Sequence, residues 1–203
     1  MHISEGVLSG PVLISGALLT ATGTGIGLTK VDYDRITHVA VMTAGFFVAS
    51  LVHVPIGPAS VHLILNGLMG VFLGWGAFPG ILVALFLQAV LFQFGGLTSL
   101  GVNCLNMAFP SVICYYLFQK GLRSRDLKVF MSASFLCGFV AVFLGAIMVA
   151  LSLSLTGEAF RAAARILVAA HFPVMIIEGL ITMFCIKFLR SVRPEILELL
   201  NGK

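Results

Sequence analysis

The chain opens MHISEGVLSG, which places an imidazole next to an amino-terminal methionine. A free α-amine at Met1, the amide nitrogen of His2 and the imidazole Nδ1 of His2 can all bind one metal ion. Amine and amide close a five-membered chelate ring, and amide and imidazole close a six-membered one. Fused rings this small need the three nitrogens nearly coplanar. A fourth nitrogen in that plane completes a square, which suits Ni²⁺ or Cu²⁺. His62 is the candidate fourth donor. Deprotonating the amide takes a polarising metal, so affinity should fall as pH drops. Two plain alternatives stand beside this reading. An amino-terminal histidine can be an accident of sequence, and a histidine at a helix end can be a satisfied polar cap.

Further polar residues are candidates for a supporting network. Asn66, one helical turn beyond His62, shares its face and can orient the imidazole. His53 and His62 frame the stretch HVPIGPASVH, and Ser60 lies within it. His171 and Glu178 are seven apart, so they share one helix face. Ionisable groups within a membrane are expensive enough to be functional candidates, although a hydrogen-bonded pair tying helices together explains them too. His38 reads as interfacial.

The elements that must position these groups are membrane helices. Hydrophobic residues make up 59% of the 203 and charged residues 10%, with a mean hydropathy of +1.09. A soluble domain carries roughly 25% charged residues, so the composition indicates an all-α polytopic membrane protein. Its apolar runs are long and continuous, unlike the alternating segments of barrels. The whole chain reads as one integral membrane domain: an amino-terminal metal-binding segment over 1–10, then seven spans. These cover about 11–28, 36–52, 61–74, 81–94, 104–118, 129–155 and 166–189, judged against the roughly twenty apolar residues a crossing needs. The third is short, hence tilted or partly re-entrant.

Ten of the twelve basic residues fall in the loops after spans one, five and seven: Lys30, Arg35, Lys120, Arg123, Arg125, Lys128, Lys187, Arg190, Arg193 and Lys203. Seven spans put all of these on one face, which is then cytoplasmic together with the carboxyl terminus. The amino terminus and the HVPIGPASVH loop are expected outside. His2, His53 and His62 therefore converge on one side of the membrane. The net charge of +4 needs no nucleic-acid partner.

Several chemistries lack their motifs. The glycine run GTGIGLTK has no adjacent Gly-Lys and lies in a span, so this chain does not hydrolyse ATP by a P-loop. It contains neither H-E-x-x-H nor G-x-S-x-G. Cys104, Cys114, Cys137 and Cys185 lie far apart in apolar segments, with no disulfide framework indicated. No enzymatic function and no cofactor are expected.

Four stretches in order, MHISEGVLS, HVPIGPASVHLILNGLMG, QFGGLTSLGVNCLNMAFP and HFPVMIIEGLIT, resemble the CbiM/NikM family, the substrate-binding (M) subunits of energy-coupling-factor nickel/cobalt transporters. The resemblance runs from Met1 to about Pro194. It implies a seven-helix subunit in the cell membrane whose amino-terminal segment folds back into the molecule. It also implies a metal held by the terminal amine, the amide and imidazole nitrogens of His2, and His62. The implied partners are a transmembrane coupling subunit and ATPase subunits, often with a small accessory membrane protein. The sequence departs from the family in one place: GPASVH stands where many members carry a longer, Ser/Thr-rich loop. Square-planar nitrogen geometry leans toward Ni²⁺, with Co²⁺ close behind.

Two rival readings remain. One is a self-sufficient secondary metal carrier using proton-coupled His171 and Glu178. The other is a haem-binding membrane oxidoreductase using two of His38, His53, His62 and His171. Small residues four apart (Ala17, Ala21 and Gly25; Ala40 and Ala44; Gly70 and Gly74) are candidate partner interfaces.

Overall fold

The computed structural model describes all residues except Met1, Tyr33, Arg35, Val52, Gly57, Pro58 and 194–203, and only the backbone of 53–56 and 59–61. The proposed Met1 donor, the basic residues Arg35 and Lys203, and the side chains of His53 and Ser60 therefore lie outside the described residues.

Among the described residues, eight α-helices account for most of the chain: α1 (Gly10–Lys30), α2 (Ile36–Ala49), α3 (Asn66–Leu73), α4 (Ala77–Phe92), α5 (Leu100–Leu122), α6 (Leu127–Thr156), α7 (Arg161–Ala170) and α8 (Phe172–Val192). The expected all-helical membrane architecture is what the structure has. Among the described residues, five helical stretches are long and apolar enough to cross a membrane: Gly10–Lys30, Asn66–Phe92, Leu100–Leu122, Leu127–Thr156 and Glu158–Val192. Helix α2 is apolar but only 14 residues long. Large apolar side chains such as Leu18, Val41, Leu91, Leu117 and Phe188 stand exposed on the helix faces, as lipid contact requires.

Two local departures shape the candidate site. Two short strands pair antiparallel, β1 (His53–Ile56) and β2 (Ala59–His62), with His53 opposite His62. The stretch 61–74, read as one short span, is divided between the end of β2 and the eight-residue α3. Eight residues rise only about 12 Å, so α3 alone cannot cross a hydrocarbon core of about 30 Å. It joins α4 through a 3₁₀ turn at Gly74–Gly76. The last apolar stretch is likewise split. Pro173 sits in the first turn of α8, where its missing N–H costs nothing and its ring ends the preceding helix.

Helix α3 is wedged between α5 and α6. A methyl group at Gly70 would stand 2.2 Å from the Ser111 carbonyl oxygen, and one at Gly67 would stand 2.7 Å from Gly138 Cα. Gly70 is therefore consumed by packing within the molecule rather than by a partner helix, because only a residue without Cβ allows that approach. Ala17 is likewise used internally, against Gly101 of α5. Ala21, Gly25, Ala40 and Ala44 lie on exposed helix faces.

Candidate metal centre

The amino-terminal segment is drawn into the molecule by a polar cradle at the start of α5. The Ile3 N–H donates to Asn103 Oδ1 at 2.8 Å, and the Ile3 carbonyl accepts from Asn103 Nδ2 and Ser99 Oγ, each at 3.0 Å. One carboxamide thus satisfies both backbone groups of one buried residue, which water would otherwise have to do. Two residues on, the Glu5 N–H donates to the Gly95 carbonyl at 2.9 Å, and Glu5 Oε1 accepts from the Thr98 N–H at 3.3 Å. Gly95 adopts φ +77°, and a methyl group there would lie 3.0 Å from Asn103 Nδ2 and 3.6 Å from His2 Cβ. Only glycine takes that conformation without cost while leaving room for the histidine. Sequence reasoning missed Asn103, Ser99, Gly95 and Glu5 as members of the site. Their signal is the adjacent glycines followed by Thr, Ser and Asn in an otherwise apolar chain.

This cradle presents His2 to His62. The two rings stack with centroids 4.6 Å apart and planes 23° from parallel, and both residues are buried. Phe94 flanks His2 at 6.4 Å between centroids. His62 Nδ1 lies 2.7 Å from the Leu63 carbonyl oxygen. A carbonyl only accepts, so Nδ1 carries the proton and Nε2 offers a lone pair, the form a metal-binding imidazole takes. Burial pushes the His62 imidazole well below its ordinary value, and the neighbouring His2 ring acts in the same direction. Both effects favour the neutral form of the His62 imidazole.

The backbone after His62 is fixed from another helix. Glu178, fully buried in α8, accepts from the Ile64 and Leu65 N–H groups through Oε1, the Leu65 bond being 2.9 Å, and from the Leu65 N–H through Oε2 at 3.1 Å. Both oxygens accept, so the group acts as a carboxylate. It caps the entry to α3 from outside, where Leu65 itself sits at φ 52° and offers no side-chain cap. A negative group beside a helix amino terminus is also favoured by the helix dipole.

The remaining sequence candidates divide. His171 is buried and its Nδ1 lies 2.7 Å from the Leu167 carbonyl oxygen. It and Glu178 each bind backbone groups instead of forming the expected pair. Asn66 donates through Nδ2 to the Ala141 carbonyl at 3.1 Å, and its Oδ1 has no hydrogen-bond partner among the described residues. The structure shows no bond from it to the His62 ring. His38 is exposed in the first turn of α2, at the opposite end of that helix from the β1–β2 pair. Among the described residues, no three His, Cys, Asp or Glu side chains are grouped to hold a metal. A site at His2 and His62 therefore needs donors of another kind.

Residues 2–196 match the family model CbiM, described as a cobalt uptake substrate-specific transmembrane region. A Haemophilus influenzae protein provisionally named a metal transport protein is 40% identical over 199 residues, covering 97% of each chain. A cobalt transport protein CbiM of Sorangium cellulosum is 31% identical, covering 99% of this chain and 96% of its own. Two solved structures share the fold at 25% sequence identity. A transition metal transporter gives a TM-score of 0.77 over 95% of this chain and 93% of its own. A truncated transition metal transporter gives 0.74 over 94% and 99%. The chain belongs to the CbiM family and is a multi-pass membrane protein.

Proposed function

We propose that this chain is the metal-capturing membrane subunit of an energy-coupling-factor importer for Ni²⁺ or Co²⁺. The observation that carries the reading is the burial of His2 against His62, with His62 Nδ1 tied to the Leu63 carbonyl. The Met1 amine, the His2 amide and the His2 imidazole supply three nitrogens, and His62 supplies the fourth. A planar nitrogen set leans toward Ni²⁺. Relatives are named for both metals: the Sorangium cellulosum protein for cobalt, and a fused NikMN protein of Rhodobacter capsulatus for nickel.

The site opens to the extracytoplasmic side, following the concentration of Lys and Arg in the loops of the opposite face. The chain has no P-loop, so the energy for release comes from ATPase subunits through a transmembrane coupling subunit, with a small accessory membrane protein as a further partner. The exposed small-residue faces of α1 (Ala21, Gly25) and α2 (Ala40, Ala44) suit close helix contact with the coupling subunit. A carrier driven by a His171–Glu178 pair finds no support in the bonding, since each side chain is engaged with backbone.

The test is metal uptake in cells stripped of their own nickel and cobalt importers. The chain is expressed alone or together with coupling and ATPase subunits. Uptake is expected only with the partners and should stop when the ATPase is inactivated. Equal uptake by the chain alone would refute the ATP-dependent reading in favour of a secondary carrier.

A further inference from the structure

Outside the loops that follow the first, fifth and last expected spans, the chain has two basic residues, Arg161 and Arg165, and both belong to α7. Arg161 opens that helix and Arg165 follows one turn later. Positive charge at a helix amino terminus opposes the helix dipole, and like charges four apart repel. Glu158 Oε1 lies 2.9 Å from the Arg161 guanidinium, but both side chains are well exposed, where such a pair contributes little. Among the described residues, Arg165 forms no ion pair or hydrogen bond. Both arginines line one open cleft of about 430 Å³ between α6 and α7, together with Ala150, Ser154, Ala164 and Val168. That volume falls within the roughly 300–1,000 Å³ typical of ligand sites.

The cleft lies at headgroup depth. The 30 residues of α6 rise about 45 Å, beyond a hydrocarbon core of about 30 Å, so its ends near Lys128 and near Ser154 reach the polar layers. Helix α8, with 21 residues, crosses such a core alone, which leaves α7 to the interface. Ala164 and Leu167 pack inward while Ile166 stands 60% exposed beside the arginines, the division of an interfacial helix. The Ser9 N–H donates to Thr156 Oγ1 at 3.4 Å, so the cleft adjoins the amino-terminal segment. An anion between the two guanidinium groups would relieve their repulsion and complement the helix end, and the guanidinium fork matches phosphate oxygens. We infer that this cleft holds the phosphodiester of an anionic membrane phospholipid. Arg161 and Arg165 take the phosphate, Ser154 Oγ donates from α6, and Ala150 and Val168 meet the start of an acyl chain. The lipid thereby bridges α6 and α7 beside the segment that carries His2.

The probe is phosphatidylglycerol titrated into the full chain, delipidated in a neutral detergent, with bound lipids counted by native mass spectrometry. One lipid should bind ahead of the rest. Arg161→Gln combined with Arg165→Gln should weaken that first binding about 25-fold, at about fivefold for each cation beside a headgroup. Arg125→Gln combined with Lys128→Gln, at the opposite end of α6, should leave it unchanged. Equal losses from the two pairs would reduce the effect to the general attraction of a basic protein and overturn the site. Glycerol 3-phosphate in excess should not displace the lipid, because it brings the phosphate without the chains. Displacement would make the ligand a soluble anion and overturn the lipid assignment. All four positions are exposed, so the variants should fold. The lipid should also raise the Tm of the native chain more than that of the arginine variant, and equal shifts would count against the site.

Discussion

Replacing Glu178 by glutamine changes one atom type and should loosen the metal site at a distance. The carboxylate accepts from two buried backbone N–H groups, those of Ile64 and Leu65. A carboxamide in its place keeps one oxygen acceptor but turns an NH₂ group toward the Leu65 N–H that lies 3.1 Å from Oε2, so a donor faces a donor. Hydrogen bonds to a charged group contribute about 1.5–3 kcal/mol and neutral ones about 0.5–1.5. Both N–H groups keep the Oε1 position as acceptor, so weakening two bonds from charged to neutral and losing the second arm to Leu65 should cost roughly 2–3 kcal/mol. Part of this falls on overall stability and part on the turn carrying His62. If half reaches the turn, metal affinity falls about five- to tenfold, at about 1.4 kcal/mol per decade. The assay is paired: calorimetric titration with Co²⁺ or Ni²⁺, and thermal unfolding of the metal-free protein. Both affinity and Tm should drop. A lower Tm with unchanged affinity would refute the claim that Glu178 positions His62, leaving it a helix tie alone.

Other perturbations follow from the same geometry. Gly95→Ala forces φ +77° on a residue with a Cβ, a cost of about 1–2 kcal/mol. Metal affinity and Tm should both fall, and normal affinity would show that the close approach to His2 is unimportant. Asn103→Ala leaves the Ile3 N–H without its acceptor and the Ile3 carbonyl with Ser99 Oγ alone, at about 1–3 kcal/mol for the unsatisfied N–H. Hydrogen exchange at Ile3 should accelerate by orders of magnitude, and retained protection would contradict the cradle. His62 has its pKa lowered below the ordinary 6.5, so below about that pH the unfolded chain binds a proton the folded one refuses. Stability of the metal-free protein should accordingly be fully present above pH 6.5 and decline as pH falls below it. His62→Gln should flatten that decline, and an unchanged pH profile would contradict the buried neutral imidazole.

What the sequence discloses here depends on the range of the interaction. Long apolar runs mark α1, α5 and α6 because membrane burial acts on every residue of a roughly twenty-residue stretch. The β1–β2 pair escapes such a reading, since four-residue strands are too short for a period-two pattern to stand out. Within 166–189, the break before α8 is announced locally by Pro173, yet the apolar run on either side masks it. His2 and His62 stand out in the sequence as nitrogen donors in an apolar chain, and their rings meet in the fold. Glu178 is visible as an ionisable residue in a membrane helix, but its partners are not: backbone N–H groups 113 and 114 positions away leave no mark in side-chain spacing. Asn103 is hidden for the same reason, its bonds going to the main chain of Ile3.

The most direct test of the central claim compares the native start with a version carrying one glycine inserted before Met1. Mass spectrometry first establishes a free amine on each, and both are then titrated calorimetrically with Ni²⁺ and Co²⁺. The insertion displaces the amine and shifts the histidine one place, breaking the fused chelate while leaving every helix untouched. Tight one-to-one binding by the native chain, lost or weakened by orders of magnitude on insertion, is the predicted result. Equal binding by both would contradict an amino-terminal metal site.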